Sequence, residues 1–225
     1  MRVLVSGGAS GLGAAVARQV ADEGGRPLIV DLNPAADQDE QVQVDLADRR
    51  AAESAVHFLA RSADGLDAVV TAAGIDACGR LDDVPADEWE RVIQVNLLGT
   101  AAVVRAALPY LIAAPNGRVV TCASTLGLRA LSDATAYCAA KFGVVGFSRA
   151  LAAETAGQVG VTMLVPGGMD TAFFDGRPRR YRPPPDAKLN RPEDVAAAVM
   201  FALRQPPGCE VRELLICPSE EPSWP

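Results

Sequence analysis

Histidine is nearly missing from this chain: His57, within RRAAESAVHFLAR (49–61), is the only one in 225 residues. A histidine-based catalytic triad and a histidine-bearing zinc site are thereby excluded, and His57 reads as a structural or surface residue on a helix. The five cysteines, an odd number, show neither CxxC nor Cys/His ligand spacing. They are expected to be buried free thiols in a reducing compartment, with no metal site. The N-terminus MRVLVSGG starts at once on a strand pattern, so no signal peptide is expected and the expected location is cytoplasmic. Apolar runs are short and broken by Gly, Pro or charge, and no membrane partner is expected. Positive charge is also scarce: 21 Lys and Arg stand against 28 Asp and Glu, a net charge of −7. An acidic body repels phosphate, so nucleic acid is not an expected partner.

What is present alternates. Short β-rich runs at 2–6, 27–31, 42–45, 67–72, 118–123, 161–165 and 212–217 are separated by Ala-rich helical stretches at 11–24, 48–63, 86–113, 133–157 and 191–205. Strand–helix alternation is the α/β signature. Several strands are apolar throughout, as expected when helices cover both faces of a parallel sheet. The length suits one domain, 1–225, with a large core. One region is irregular: DGRPRRYRPPPDAK (175–188) is too rich in Pro for a regular helix or a central strand.

The first strand runs into SGGASGLG (6–13), which places Gly7, Gly11 and Gly13 in the spacing G-x-x-x-G-x-G. Missing Cβ atoms let the backbone turn sharply and let a diphosphate approach it. The helix that starts near Gly11 offers unpaired N–H groups and the positive end of its dipole. Val16 stands where the other dinucleotide fingerprint, GxGxxG, would close on a small residue. Asp31 ends the second strand, where a carboxylate accepts hydrogen bonds from an adenosine ribose and repels a 2′-phosphate. One unit-charge pair at about 4 Å is worth roughly 1–4 kcal/mol near a protein surface, which favours NAD over NADP. Asp45 ends the third candidate strand in the same way and is placed at the adenine edge.

Lysine and tyrosine are also sparse, yet TAYCAAK (135–141) sets one of each four residues apart. With two lysines and three tyrosines, chance places a Tyr-x-x-x-Lys in roughly 3 chains in 100 of this composition. With the other motifs in their order, the chain resembles the short-chain dehydrogenase/reductase family along nearly its whole length. SGGASGLG resembles the family's TGxxxGxG turn, with Ser6 for Thr. VDL (44–46) resembles its adenine-side Asp motif, and TAAG (71–74) its NNAG stretch with both Asn replaced. VNLLG (95–99) carries the family Asn as Asn96, and TCAS (121–124) ends in the family Ser as Ser124. Tyr137 follows at a family-like distance, and PGGMDT (166–171) resembles the PG motif beside the nicotinamide.

The resemblance implies a Rossmann-like, doubly wound fold with a seven-stranded parallel sheet in the order 3-2-1-4-5-6-7 and helices on both faces. It implies Asn96, Ser124, Tyr137 and Lys141 as catalytic residues, with Asn96 helping to hold a proton-relaying water. It implies dinucleotide contacts from Gly7, Ser10, Gly11, Leu12, Gly13, Asp31, Leu32, Asp45, Leu46, Ala73, Gly74, Tyr137, Lys141, Pro166, Gly167 and Thr171. It further implies a homodimer or homotetramer paired through helices 86–113 and 133–157. In TAAG, Ala72 forgoes a tie between strands worth about 1 kcal/mol.

The chemistry agrees with the residues. A phenol ionises near 10, too high for a base at neutral pH. Residues i and i+4 share a helix face, so Lys141 places an ammonium beside the phenol, where it favours phenolate. Ser124 would hydrogen-bond the substrate oxygen. Specificity is expected in 169–190, where Phe173, Phe174 and Tyr181 offer an apolar lining. Its Arg177, Arg179, Arg180, Arg182 and Lys188 make either a solvated lid or a site that draws in an anionic substrate. The tail EEPSWP (220–225) is a candidate for docking at an oligomer interface. The expected activity is hydride transfer between NAD and a secondary alcohol or ketone. An NADP-linked carbonyl or 3-oxoacyl-type reductase, and a non-catalytic dinucleotide-sensing regulator, are the alternatives.

Overall fold

Alternate residues of the central strands point into two different apolar layers. Leu4, Leu28, Val30, Val69, Val119 and Val161 face one layer; Val3, Val5, Ile29, Val70, Val120 and Leu164 face the other. This double burial is why those strands carry no polar alternation. The computed structural model describes residues 1–35, 39–221 and 223–224. Its strands are β1 (Arg2–Ser6), β2 (Arg26–Asp31), β3 (Gln41–Gln43), β4 (Ala68–Thr71), β5 (Arg118–Cys122), β6 (Gly160–Pro166) and β7 (Glu213–Ile216). All pair in parallel, in the order β3-β2-β1-β4-β5-β6-β7 that the resemblance implied.

Helices α2 (Arg49–Ser62), α4 (Thr100–Ala113) and α5 (Thr135–Glu154) cover the first face, with Val56, Leu59, Val103, Val104, Leu111 and Leu151 in contact with it. Helices α1 (Gly11–Asp22) and α6 (Pro192–Leu203) cover the second through Val16, Val20, Val199, Met200 and Leu203. The strand order reverses between β1 and β4. This opens a crevice at the carboxyl ends of the strands, the place where doubly wound sheets bind ligands.

Three expectations need adjustment. The helix expected over 86–113 is α3 (Ala86–Ile93), a π-helical turn (Gln94–Gly99) and α4 in series. This run is the one helix among the described residues long and apolar enough to span a membrane, and more than half of its apolar window is buried inside the protein. β3 ends at Gln43, so Asp45 lies two residues past the strand rather than at its tip. All five cysteines are free, but only Cys122 and Cys138 are buried, and Cys209 is exposed.

Arg118 is 5% exposed, and its guanidinium is spent on the carbonyls of Cys209, Gln205 and Pro206 at 2.8–3.0 Å, past the end of α6. Arg118→Met strips those acceptors of a charged donor. At about 1.5–3 kcal/mol for a hydrogen bond to a charged group, a clear fall in the denaturant midpoint is expected. An unchanged midpoint in urea titration would show that the buried cation contributes nothing.

The opposite sign is expected at Ser6 and Thr71. They are register partners in β1 and β4, and their hydroxyls are buried without a hydrogen-bond partner. Ala72, where the family carries Asn, offers a methyl group, and only its N–H bonds to the Ser6 carbonyl. Ser6→Ala removes an unsatisfied buried hydroxyl whose desolvation costs about 1–3 kcal/mol, so melting should hold or rise. A lower midpoint by calorimetry would mean the hydroxyl has a partner.

Candidate active site

The glycine turn fixes one end of the crevice. Gly7 has φ +74°, and a Cβ there would lie 2.5 Å from the Ala73 nitrogen. A Cβ on Gly13 would run into the Gly7 carbonyl, so α1 packs onto the turn only without a side chain. Ser10 precedes α1 without a side-chain cap, and the first turn of α1 holds no acidic residue. Its leading N–H groups are therefore left for an anion at the positive end of the helix, and a diphosphate fits this cradle.

Asp31 sits beside the cradle. One oxygen accepts from the Ala9 N–H at 2.9 Å and the other from the Asn33 N–H at 2.9 Å, so each keeps a lone pair for a ribose hydroxyl. Asp45 is paired with Arg91 at 2.9 Å. Burial works against its charge, but the Ala47 N–H and Arg91 outweigh this and hold its carboxyl below the usual range.

A cleft of about 1230 Å³ runs from this cradle to the start of α5. It is lined by Gly7, Ser10, Gly11, Leu12, Asp31, Leu32, Asp45, Leu46, Ala73, Gly74, Ser124, Tyr137, Lys141, Pro166, Gly167 and Thr171. Of the catalytic and dinucleotide-contacting residues expected from the sequence, Gly13 and Asn96 do not line it, and of the expected loop cations Arg179 does not. Gly13 acts behind the cradle. Asn96 is fully buried in the π-turn, where its amide accepts from the Ile75 N–H and donates to the Ile75 carbonyl, both at 2.8 Å. The backbone carbonyl of Asn96 accepts from the Thr100 hydroxyl at 2.8 Å. The widened turn thus clamps the segment after β4. A Cβ on Gly74 would lie 3.6 Å from the Asn96 amide oxygen and 3.8 Å from Lys141 Nζ, which places both residues at the same wall.

Tyr137 and Lys141 emerge one turn apart from the first half of α5, with Nζ 5.5 Å from the phenol ring centroid. Lys141 is buried and donates to the Cys122 carbonyl at 2.8 Å. Burial draws its pKa down. Burial also pushes the Tyr137 phenol up, and hydrogen bonding to Ser124 only partly opposes this. The expectation that Lys141 lowers the phenol omitted this desolvation, which is the larger influence in the structure. Ser124, just past β5, accepts from the Leu126 N–H at 3.1 Å.

The loop after β6 covers the cleft and uses three of its arginines, Arg177, Arg180 and Arg182, on the protein itself. Arg177 lies over the rings of Phe173 and Phe174, 4.9 and 4.6 Å from their centroids, and pairs with Asp76 at 2.6 Å. Side-chain exposures of 17% and 6% make this a nearly dry pair. Arg182 donates to the carbonyls of Arg177 and Asp175, and Arg180 lies over Tyr181. The Tyr181 hydroxyl reaches Asp133 at 3.2 Å, and the Phe173 ring tilts against Tyr137 at 5.7 Å between centroids. Sequence reasoning missed Asp76, and no spacing rule joins it to Arg177. It also missed Glu221 and Ser223, which line the same cleft from the C-terminal tail.

A parallel sheet in this order with a glycine cradle at its switch point defines a dinucleotide-binding α/β protein. Residues 1–181 match the short chain dehydrogenase family, and the chain belongs to that family of oxidoreductases. It is 30% identical over 226 residues to an "uncharacterized oxidoreductase" of Staphylococcus aureus, covering 96% of each chain. Among solved structures, it superposes on a short chain dehydrogenase from Burkholderia cenocepacia in complex with NADP. That match has a TM-score of 0.83 and 27% identity, covering 96% of each chain. The ligand-free aldohexose dehydrogenase of Thermoplasma acidophilum shares the fold, with a TM-score of 0.85 at 22% identity over 96% of this chain and 92% of that one.

Proposed function

We propose that the chain is an NAD-dependent oxidoreductase that moves a hydride between the nicotinamide cofactor and a secondary alcohol or ketone, with Tyr137 as the acid/base. The observation that carries this reading is the continuity of one cleft from the glycine cradle and Asp31 to Ser124, Tyr137 and Lys141. Bound NAD supplies the hydride acceptor and, when oxidised, a positive charge. Asp31 and the cradle hold the adenosine and diphosphate; Leu12, Leu32, Leu46 and Ala73 wall that half. Pro166, Gly167 and Thr171 bound the other half.

Tyr137 gives a proton to the forming alkoxide oxygen in reduction and takes it from the hydroxyl in oxidation. Ser124 donates a hydrogen bond to that oxygen. Lys141 keeps a cation beside the phenol. The Asn96 π-turn holds the wall behind them, from which a water would relay the proton. Because burial favours the neutral phenol, the proton-donating form is the populated one at neutral pH, and the oxidation rate should climb with rising pH.

NADP is the second reading, because the Burkholderia relative was solved with it. Asp31 weighs against it here, and Arg91, which lines the cleft beside Asp45, is already paired with that carboxylate. A sensing regulator would not need Ser124, Tyr137 and Lys141 together in one cleft. Arg177, Arg180 and Arg182 are taken up by Asp76, a ring and backbone carbonyls, which supports a neutral substrate at their end of the cleft. Exposed Leu98, Ile112 and Phe142 on the π-turn, α4 and α5 support a dimer or tetramer paired through those helices. Free thiols fit a cytoplasmic site of action.

The test is turnover of a panel of secondary alcohols and ketones, with NAD and NADP in parallel, followed by absorbance of the reduced nicotinamide. Turnover with NAD supports the reading. Tight dinucleotide binding without turnover of any compound would favour the sensor.

A further inference from the structure

After β7 the chain does not leave the molecule but turns back over the carboxyl ends of β5 and β6. The turn starts where the Gly167 N–H donates to the Ile216 carbonyl at 2.8 Å. Glu221 then places one carboxylate oxygen 2.8 Å from the Gly168 N–H, in the turn that leaves β6. The other oxygen accepts from the N–H of Ser223 at 2.9 Å and from its hydroxyl at 2.6 Å. The Ser223 hydroxyl also lies 2.7 Å from that of Thr125. Ser223 has one hydroxyl proton and gives it to the carboxylate, so the Thr125 hydroxyl must donate to Ser223. The result is a hydrogen-bonded chain that converges on Glu221: Thr125 donates to Ser223, and Ser223 and Gly168 both donate to the carboxylate. Thr125 is 2% exposed and Ser223 9%, while Glu221 and Gly168 are half-buried.

Each end of this chain touches a different wall of the cleft. Thr125 directly follows Ser124, and Gly168 follows Pro166 and Gly167. Among the described hydrogen bonds, no other route joins Ser124 or Thr125 to Gly167 or Gly168. No cation lies within ion-pair distance of Glu221 among the described residues, so its charge is held by these donors alone. Burial disfavours the carboxylate, yet the three hydrogen bonds hold its pKa below the usual carboxylate range. The strap crosses closely at Gly167, where a Cβ would push the Glu221 carboxylate out of its place. Glu221 and Ser223 make these contacts within their own chain; Pro222 and Pro225 lie outside the described residues.

We infer that the tail is a strap built into the active site and that Glu221 is a positioning residue, setting the distance between the Ser124 wall and the Gly167–Gly168 wall. This rests on the hydride-transfer reading for its catalytic consequence, but not for its structural one. Placement errors of about 1 Å can cost up to about 100-fold in rate, so a residue that touches no reacting atom can still govern turnover.

The test uses the full chain and compares wild type with Glu221→Gln, Ser223→Ala, Thr125→Val and the Ser223→Ala/Thr125→Val pair; Asp22→Asn, at the exposed end of α1 and away from the cleft, serves as control. Glutamine turns an amide donor toward either Gly168 or Ser223, so the strap loosens although its length is kept. Glu221→Gln should lower kcat/KM tenfold to 100-fold and speed hydrogen exchange at the Gly168 amide. Asp22→Asn should match wild type in both. The two hydroxyl deletions should be non-additive in kcat/KM, since each breaks the same link. Should Glu221→Gln fold poorly, that cycle decides alone: additive effects would overturn the proposal. Wild-type kcat/KM and wild-type exchange at Gly168 in Glu221→Gln would also overturn it. If wild type turns over no alcohol or ketone but Gly168 exchange quickens in Glu221→Gln, the strap stands and the hydride-transfer reading falls.

Discussion

Tyr137→Phe should leave dinucleotide binding intact and lower kcat by about 10²–10⁴-fold, the range that one positioned acid/base contributes. The substitution deletes one oxygen and keeps the ring that Phe173 packs against, so the cleft wall survives. The pH profile gives the sharper reading. Because burial raises the phenol, the wild-type oxidation rate should increase steadily through the alkaline range as the phenolate forms, while reduction stays flat and then declines. In the variant, that alkaline rise should vanish. Residual activity that keeps the wild-type pH dependence would assign the proton transfer to another group. Lys141, whose pKa burial draws down, would then be the next candidate.

Asp31→Asn should shift the cofactor ratio toward NADP by tenfold to several hundredfold, measured as the quotient of kcat/KM for the two dinucleotides. A unit charge at about 4 Å from a phosphate charge is worth roughly 1–4 kcal/mol here, and the amide removes it. Part of the gain should come from weaker use of NAD. The carboxylate accepts from both Ala9 and Asn33, and an amide satisfies only one of those N–H groups well. An unchanged ratio would mean that Asp31 braces the cradle without facing the ribose.

The parts of the site that lie close together along the chain were legible before any coordinates. Strands apolar on both faces declared a sheet covered on both sides, and the glycine turn after β1 declared the cradle. Asp31 at the end of β2 and the i, i+4 pair on α5 followed from strand and helix geometry. The contents of long-range contact were not legible. Asp76 and Arg177 meet across the cleft because β4 and β6 both end there, and no periodicity encodes that meeting. Glu221 reaches Gly168 only because the chain reverses after β7. The π-turn was hidden because 86–113 keeps its apolar pattern while one turn widens around Asn96. The direction of the Tyr137 shift was also out of reach: spacing reveals the neighbouring ammonium, but not how deeply the phenol is buried.

The most direct test of hydride transfer is to follow the hydrogen itself. An active secondary alcohol carrying deuterium on its carbinol carbon would be oxidised in the presence of NAD, and the reduced cofactor analysed by mass spectrometry. The account predicts that the deuterium appears on the nicotinamide ring, on one face only, with none released to solvent. Deuterium recovered in water, or an oxidised product formed without labelled cofactor, would contradict it.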